Sequence, residues 1–232
     1  SFLPTLEKAH EKGNSRASLL LADYALTRSD DANSVKEART IYLNLAERGD
    51  RDAQLKLAYL LEQGLGGSVN FEEAARWYTL SANQGEPVAQ YLLGRLNQMG
   101  RLDTYPNDTV AKQWYQKAKQ QYAPAAIALG FVYETVDNNY KKASEAYALA
   151  SEKNNAIGQF DLGLIYEYGK GRPVDKDKAE NLYLKAAEHG HVRAMVQLAG
   201  VYLRDTGKFR NEKVAAEWYE KAAQKGNRDA LY

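Results

Sequence analysis

His10, His189 and His191 are the only imidazoles of the chain, and cysteine is absent. Thiolate metal sites, thiol catalysis and a disulfide framework are therefore excluded. His189 and His191 flank Gly190 at an expected helix end, and residues two apart do not share a helix face. Histidine near a helix C-terminus ordinarily complements the helix dipole, so the pair is not read as a metal site. No His-Glu-x-x-His, Ser-x-x-Lys, Gly-x-Ser-x-Gly or Walker sequence occurs. Asp30-Asp31, Glu72-Glu73 and Asp175 with Asp177 fall at expected helix starts, where carboxylates favour the dipole. They read as caps, not acid–base pairs. The prediction is no catalytic residue, no metal ligand and no cofactor.

Composition narrows the partners. The 232 residues carry 31 basic and 30 acidic side chains, a net charge of +1. A protein that neutralises phosphates carries a basic surplus, so nucleic acid and anionic membrane are not expected partners. The longest apolar run, Leu19 to Ala22, is far too short to span a bilayer, and the opening residues are not expected to act as a signal peptide. Apolar residues make up 44 % of the sequence, enough to build a core.

The elements that position any site come from a repeat. Tyr42, Tyr78, Tyr115, Tyr147, Tyr183 and Tyr219 follow one another at 36, 37, 32, 36 and 36 residues. Four residues before them stand Ala38, Ala74, Ala111, Ala143, Ala179 and Ala215. Seven after them stand Gly49, Gly85, Tyr122, Asn154, Gly190 and Gly226, mostly residues that accept the left-handed conformation ending a helix. The Ala-x-x-x-Tyr pair sets a small and a large residue one turn apart on a helix, B. After the glycine comes a helix A with a small-x-x-x-Leu-small pattern, as in Ala53…Leu57-Ala58, Ala89…Leu93-Gly94, Gly158…Leu162-Gly163 and Ala194…Leu198-Ala199. Small residues let neighbouring helices approach while Leu and Tyr fill the gap. Each pair leaves a face that only a further pair can cover. The turns Gly64-Leu65-Gly66-Gly67 and Gly169-Lys170-Gly171 follow no strand, so they read as repeat turns, not phosphate loops. Asn70, Asp108 or Thr109, Asp175 and Asn211 are the expected caps of helix B.

This tandem pattern, clearest in Leu162-Gly163-Leu164-Ile165-Tyr166-Glu167-Tyr168-Gly169-Lys170-Gly171 and Trp218-Tyr219-Glu220-Lys221-Ala222-Ala223-Gln224-Lys225-Gly226, resembles the Sel-1-like repeat, a relative of the tetratricopeptide repeat. The resemblance covers essentially the whole chain. It implies an all-α fold, a right-handed αα-superhelical solenoid. The expected division is a helix-B fragment at 2–13, repeats at 14–49, 50–85, 86–121, 122–154, 155–190 and 191–226, and the start of a further helix A at 227–232. Helices without polar caps at both ends lead us to expect a piece of a longer chain. Between Tyr115 and Tyr147 the period is 32, and a local change of curvature is expected there.

The resemblance implies a scaffold or adaptor for proteins, not an enzyme. The family includes bacterial envelope and virulence members, such as the enhanced-entry proteins, and a subunit of a eukaryotic ubiquitin-ligase complex. Penicillin binding, linked to disulfide-rich members, is not carried over without cysteine or Ser-x-x-Lys. A bacterial periplasmic or secreted setting, a monomer in isolation and a partner such as a cell-wall enzyme are the expectations. The alternative is a carbohydrate or peptidoglycan binder, for which 17 tyrosines and three tryptophans are raw material. Trp77, Trp114 and Trp218 each precede a repeat tyrosine and read as core.

Helix A lines the concave surface in stacks of this kind. Counted from the turn glycine (Gln121 in the short repeat), the sixth position is Leu19, Leu55, Tyr91, Ile127, Phe160 and Val196, apolar throughout as packing demands. The tenth is Asp23, Tyr59, Arg95, Phe131, Leu164 and Gly200, a mixture that a pure packing position would not tolerate. Farther along stand Glu62, Gln98, Glu134 and Glu167, then Gln63, Met99, Thr135, Tyr168 and Arg204. Tyr59, Arg95 and Phe131 lead the predicted contacts, with Glu62, Tyr91, Glu134, Leu164, Glu167 and Tyr168 beside them. Tyrosine and arginine are favoured at binding hot spots, and aromatic anchors with a carboxylate rim suit a peptide or a partner helix.

Overall fold

A computed structural model describes residues 2–27, 32–103, 105–204 and 211–226, and these form thirteen α-helices. The start of a seventh helix A at 227–232 and the pair Asp30-Asp31 lie outside the described residues. Two compact units divide the chain, residues 1–118 and 119–232.

The first unit holds α1 (Phe2–Glu11), α2 (Ser15–Thr27), α3 (Ala32–Glu47), α4 (Arg51–Gln63), α5 (Phe71–Asn83), α6 (Pro87–Gln98) and α7 (Asp108–Ala118). The second holds α8 (Ala123–Thr135), α9 (Tyr140–Glu152), α10 (Ala156–Tyr168), α11 (Lys176–Glu188), α12 (Val192–Arg204) and α13 (Glu212–Gln224). Even-numbered helices are the A helices of the repeat and the odd ones the B helices. Within each unit every helix packs chiefly on its neighbours in sequence, as expected of a repeat fold.

Small residues dictate that packing. The helix-B alanines Ala38, Ala74, Ala111, Ala143, Ala179 and Ala215 are all buried, as are Tyr42, Tyr78, Tyr115, Tyr147 and Tyr183. The rings of Tyr115, Tyr147 and Tyr183 lie against the second small residue of helix A. A Cβ on Gly163 would stand 2.6 Å from the Tyr183 ring, and Gly94 and Gly130 meet Tyr115 and Tyr147 in the same way. The tryptophans are partly buried against the same clusters, with Lys117 and Lys221 each 4.0 Å above an indole.

The turns obey backbone rules. Gly171 has φ +73°, and a Cβ there would come within 2.4 Å of the Tyr140 backbone. The Gly-x-Gly element therefore seats a turn against the start of the preceding helix B. Asn70, Asp175 and Asn211 cap α5, α11 and α13 by accepting a backbone N–H. For α7 the expected cap is displaced by one residue. The helix begins at Asp108, so Asn107 accepts the Val110 N–H, at 3.1 Å. His191 corrects a second expectation: its Nδ1 accepts the Ala194 N–H at the start of α12, while its ring stacks on Phe160 at 4.6 Å. Burial, then the nearby Arg193, holds this imidazole below its usual pKa, in keeping with the neutral form an acceptor needs. His189, at the end of α11, is instead paired with Gln159.

Candidate functional site

The buried repeat tyrosines end in hydroxyl groups that need acceptors, and helix A supplies one in each case. Tyr42 donates to Asp23 (2.5 Å), Tyr78 to Glu62 (2.8 Å), Tyr115 to Gln98 (2.7 Å), Tyr147 to Glu134 (3.1 Å) and Tyr183 to Glu167 (2.6 Å). Except for Asp23, at the tenth position, all acceptors occupy the thirteenth position of their repeats. Burial first, and the neighbouring carboxylates next, lift the hydroxyls of Tyr42, Tyr78, Tyr147 and Tyr183 far above the ordinary phenol range. The phenols remain protonated donors, and hydrogen bonds of this charge-assisted kind contribute about 1.5–3 kcal/mol each.

The acceptor carboxylates then take a second partner from the following repeat. Lys56 pairs with Asp23, and Arg95 with Glu62. Glu167 accepts from Gln197 at 2.6 Å and pairs with Arg204 at 3.3 Å. Glu134 meets Lys170 at 3.5 Å.

This network sorts the predicted contact residues. Tyr59 is 47 %, Phe131 53 % and Tyr168 59 % exposed, so their rings are available to a partner. Arg95 and Leu164 are half-buried, Arg95 tied to Glu62 and Leu164 packed on the core of the second unit. Glu62 is only 8 % exposed and lies between Tyr78 and Arg95, so it belongs to the packing and not to an exposed carboxylate rim. Glu167, with side-chain exposure of 14 %, is held in the same way, whereas Glu134 keeps 29 %. Tyr91 is half-buried, its ring tilted against Tyr115 with centroids 5.8 Å apart. In the first unit the exposed part of the face is therefore Tyr59 and Met99 around Arg95. In the second it is Phe131 and Tyr168 around Leu164.

Sequence reasoning passed over the seventh position of helix A, which holds Leu20, Lys56, Leu92, Ala128, Asp161 and Gln197. Three of these approach the acceptor of the preceding repeat: Lys56 and Gln197 by direct bonds, and Asp161 through the charge of Glu134. The signal available was a polar residue directly after an apolar one on a helix whose other faces are packed. Asp161 stands apart. Burial, then Glu134, pushes its carboxyl up to about 6, with Arg193 opposing the shift.

Among the described residues no group of three or more His, Asp or Glu side chains is placed to hold a metal ion, and no helix is long and apolar enough to cross a membrane.

Comparison with known proteins agrees with this geometry. A profile of the Sel1 repeat matches residues 51–86, 87–122, 156–191 and 192–227. An uncharacterised protein of Neisseria meningitidis is 30 % identical over 82 % of this chain and 31 % of its own length. A chitin synthase regulator of Saccharomyces cerevisiae, SKT5, is 25 % identical over 97 % of this chain and 39 % of its own. The chain thus spans less than half the length of these relatives. Among solved structures, a protective antigen of uropathogenic Escherichia coli with an SLR fold superposes with a TM-score of 0.87 at 25 % identity, covering 99 % of this chain and 50 % of the antigen.

Proposed function

The chain belongs to the Sel1 repeat family, whose members are protein-interaction scaffolds, and from that premise we propose that it is a non-enzymatic adaptor binding a partner protein through the exposed faces of its A helices. The observation that carries this reading is the placement of Tyr59 and Phe131. Both occupy the tenth position, both are about half exposed, and both stand on helices held in place by buried tyrosine–acceptor bonds. Rigid aromatic rings on a fixed scaffold lose little conformational freedom on binding, which favours them as anchors. The setting we propose is the bacterial cell envelope or its exterior, with a cell-wall enzyme as partner. The Neisseria protein and the E. coli protective antigen, both bacterial, support the bacterial part of that setting.

Affinity capture from bacterial envelope extract tests the proposal, with wild type beside Tyr59→Ala/Arg95→Ala/Phe131→Ala. A protein held by wild type and lost by a variant of unchanged helicity supports the adaptor reading. Equal retention moves the contact to the convex side or the loops. Retention of purified peptidoglycan fragments instead, again dependent on the rings, replaces the adaptor with a glycan-binding module.

A further inference from the structure

Asp161 on α10 has no hydrogen-bond or ion-pair partner among the described residues, although it is half-buried. The titratable and charged groups around it come from three elements: Glu134 of α8, the neutral Tyr147 hydroxyl of α9 and Arg193 of α12. Arg193 is directed toward the Phe160 ring, its guanidinium carbon 5.0 Å from the centroid. Lys170 reaches the far oxygen of Glu134 at 3.5 Å from a turn, and its side chain is half exposed. At Asp23, Glu62 and Glu167 the corresponding junction is filled from the helix A that follows, by Lys56, by Arg95, and by Gln197 with Arg204, whereas Glu134 receives only the half-exposed Lys170 of a turn. Between α8 and α10, carboxylate faces carboxylate.

Apolar surface surrounds this pair. α8 and α10 lie side by side. Phe131 is three residues from Glu134 on α8, and Leu164 is three from Asp161 and four from Tyr168 on α10. Each set therefore shares a helix face. Phe131 and Tyr168 are more than half exposed. A divalent ion would need more oxygen donors than two carboxylates provide. A lysine or arginine side chain needs only one carboxylate for its charge, and its stem or guanidinium plane packs on aromatic rings.

We propose that this face of the second unit docks a partner segment that is apolar and carries a lysine or arginine, the cation set against Asp161 and Glu134 and the apolar residues on Phe131, Leu164 and Tyr168. The inference rests on the adaptor reading and names the chemistry of its ligand. The partner's cation supplies what Lys56 and Arg95 supply within the first unit.

The probe is a displayed library of random twelve-residue peptides, selected on the immobilised chain at pH 7.5. Selected peptides are then measured by fluorescence anisotropy against wild type, Asp161→Asn, Phe131→Ala and Glu188→Gln, the last removing an exposed charge elsewhere. The expected result is enrichment of one lysine or arginine beside apolar residues. Binding should weaken at least tenfold in Asp161→Asn and Phe131→Ala and stay unchanged in Glu188→Gln. Peptides lost by Phe131→Ala but indifferent to Asp161→Asn overturn the cation assignment and leave the adaptor reading standing. No enrichment, or binding indifferent to both substitutions, overturns both. Thermal melts of each variant separate loss of binding from loss of fold.

Discussion

In the first unit Glu62 receives a tyrosine hydroxyl from its own repeat and an arginine from the next helix A, whereas in the second Glu134 receives the hydroxyl and a half-exposed lysine from a turn, and the next helix A sets Asp161 near it. The backbone arrangement is the same in both: small residues on helix A, an alanine and a tyrosine on helix B, and an acceptor at the thirteenth position. The fold therefore depends on the tyrosine and its acceptor. The residue arriving from the next repeat is free to differ, and its charge decides whether the junction is closed internally or left for another molecule.

The largest test of the shared part is removal of a tyrosine. Tyr78→Ala and Tyr147→Ala should each cost about 3–5 kcal/mol, the usual range for a buried aromatic, read from chemical denaturation. A small effect at either position would mean that the tyrosine is not the common support of both units. Removing the acceptor separates the units further. Glu62→Ala strands both Tyr78 and Arg95 and should cost about 2–3 kcal/mol. Glu134→Ala strands Tyr147 but relieves Asp161, so its cost should be smaller by about 1 kcal/mol or more.

Asp161→Asn should work in the opposite direction. The folded chain raises this carboxyl from 3.8 to about 6, so the folded state holds the proton more tightly than the unfolded state does. Above about pH 6 the ionised form destabilises the fold, and that burden fades as pH falls toward 4. The variant should therefore be about 1–2 kcal/mol more stable than wild type at pH 7.5, allowing for partial solvent screening, and no more stable at pH 4. Melts at the two pH values check this, and a gain that persists at pH 4 would break the argument. The smallest expected effect is at the caps. Asn70→Ala and Asn139→Ala, one in each unit, remove a bond to Glu73 N and Lys142 N respectively, and each should cost about 1 kcal/mol.

Much of this was legible in the sequence because repetition makes packing visible. Ala74 and Tyr78 are buried where their spacing places them, and Gly85 takes the left-handed conformation that its position requires. Exposure of Tyr59 and Phe131 also followed, since the tenth position changes character from repeat to repeat. Glu62 was legible as one of a polar row but not as a buried residue. Its burial depends on the Tyr78 hydroxyl arriving from another helix, a three-dimensional distance that no periodicity encodes. Asp161 was missed for a related reason. An aspartate on a helix surface has no meaning until Glu134 is brought against it from the preceding helix A. The cap of α7 differed because Asn107, Asp108 and Thr109 are all good capping types, and only the chain path selects the first.

Each tyrosine bonds to an acceptor within its own repeat, while the acceptor's second partner comes from the following one. A duplicated repeat would consequently bring its own lock with it and fold against a new neighbour from the outset. Only the residue facing that lock, at the seventh or tenth position of the next helix A, would have to be revised. Lengthening such a chain by gene duplication is therefore a small step, and the site where the revision is left unfinished is where a new partner can enter.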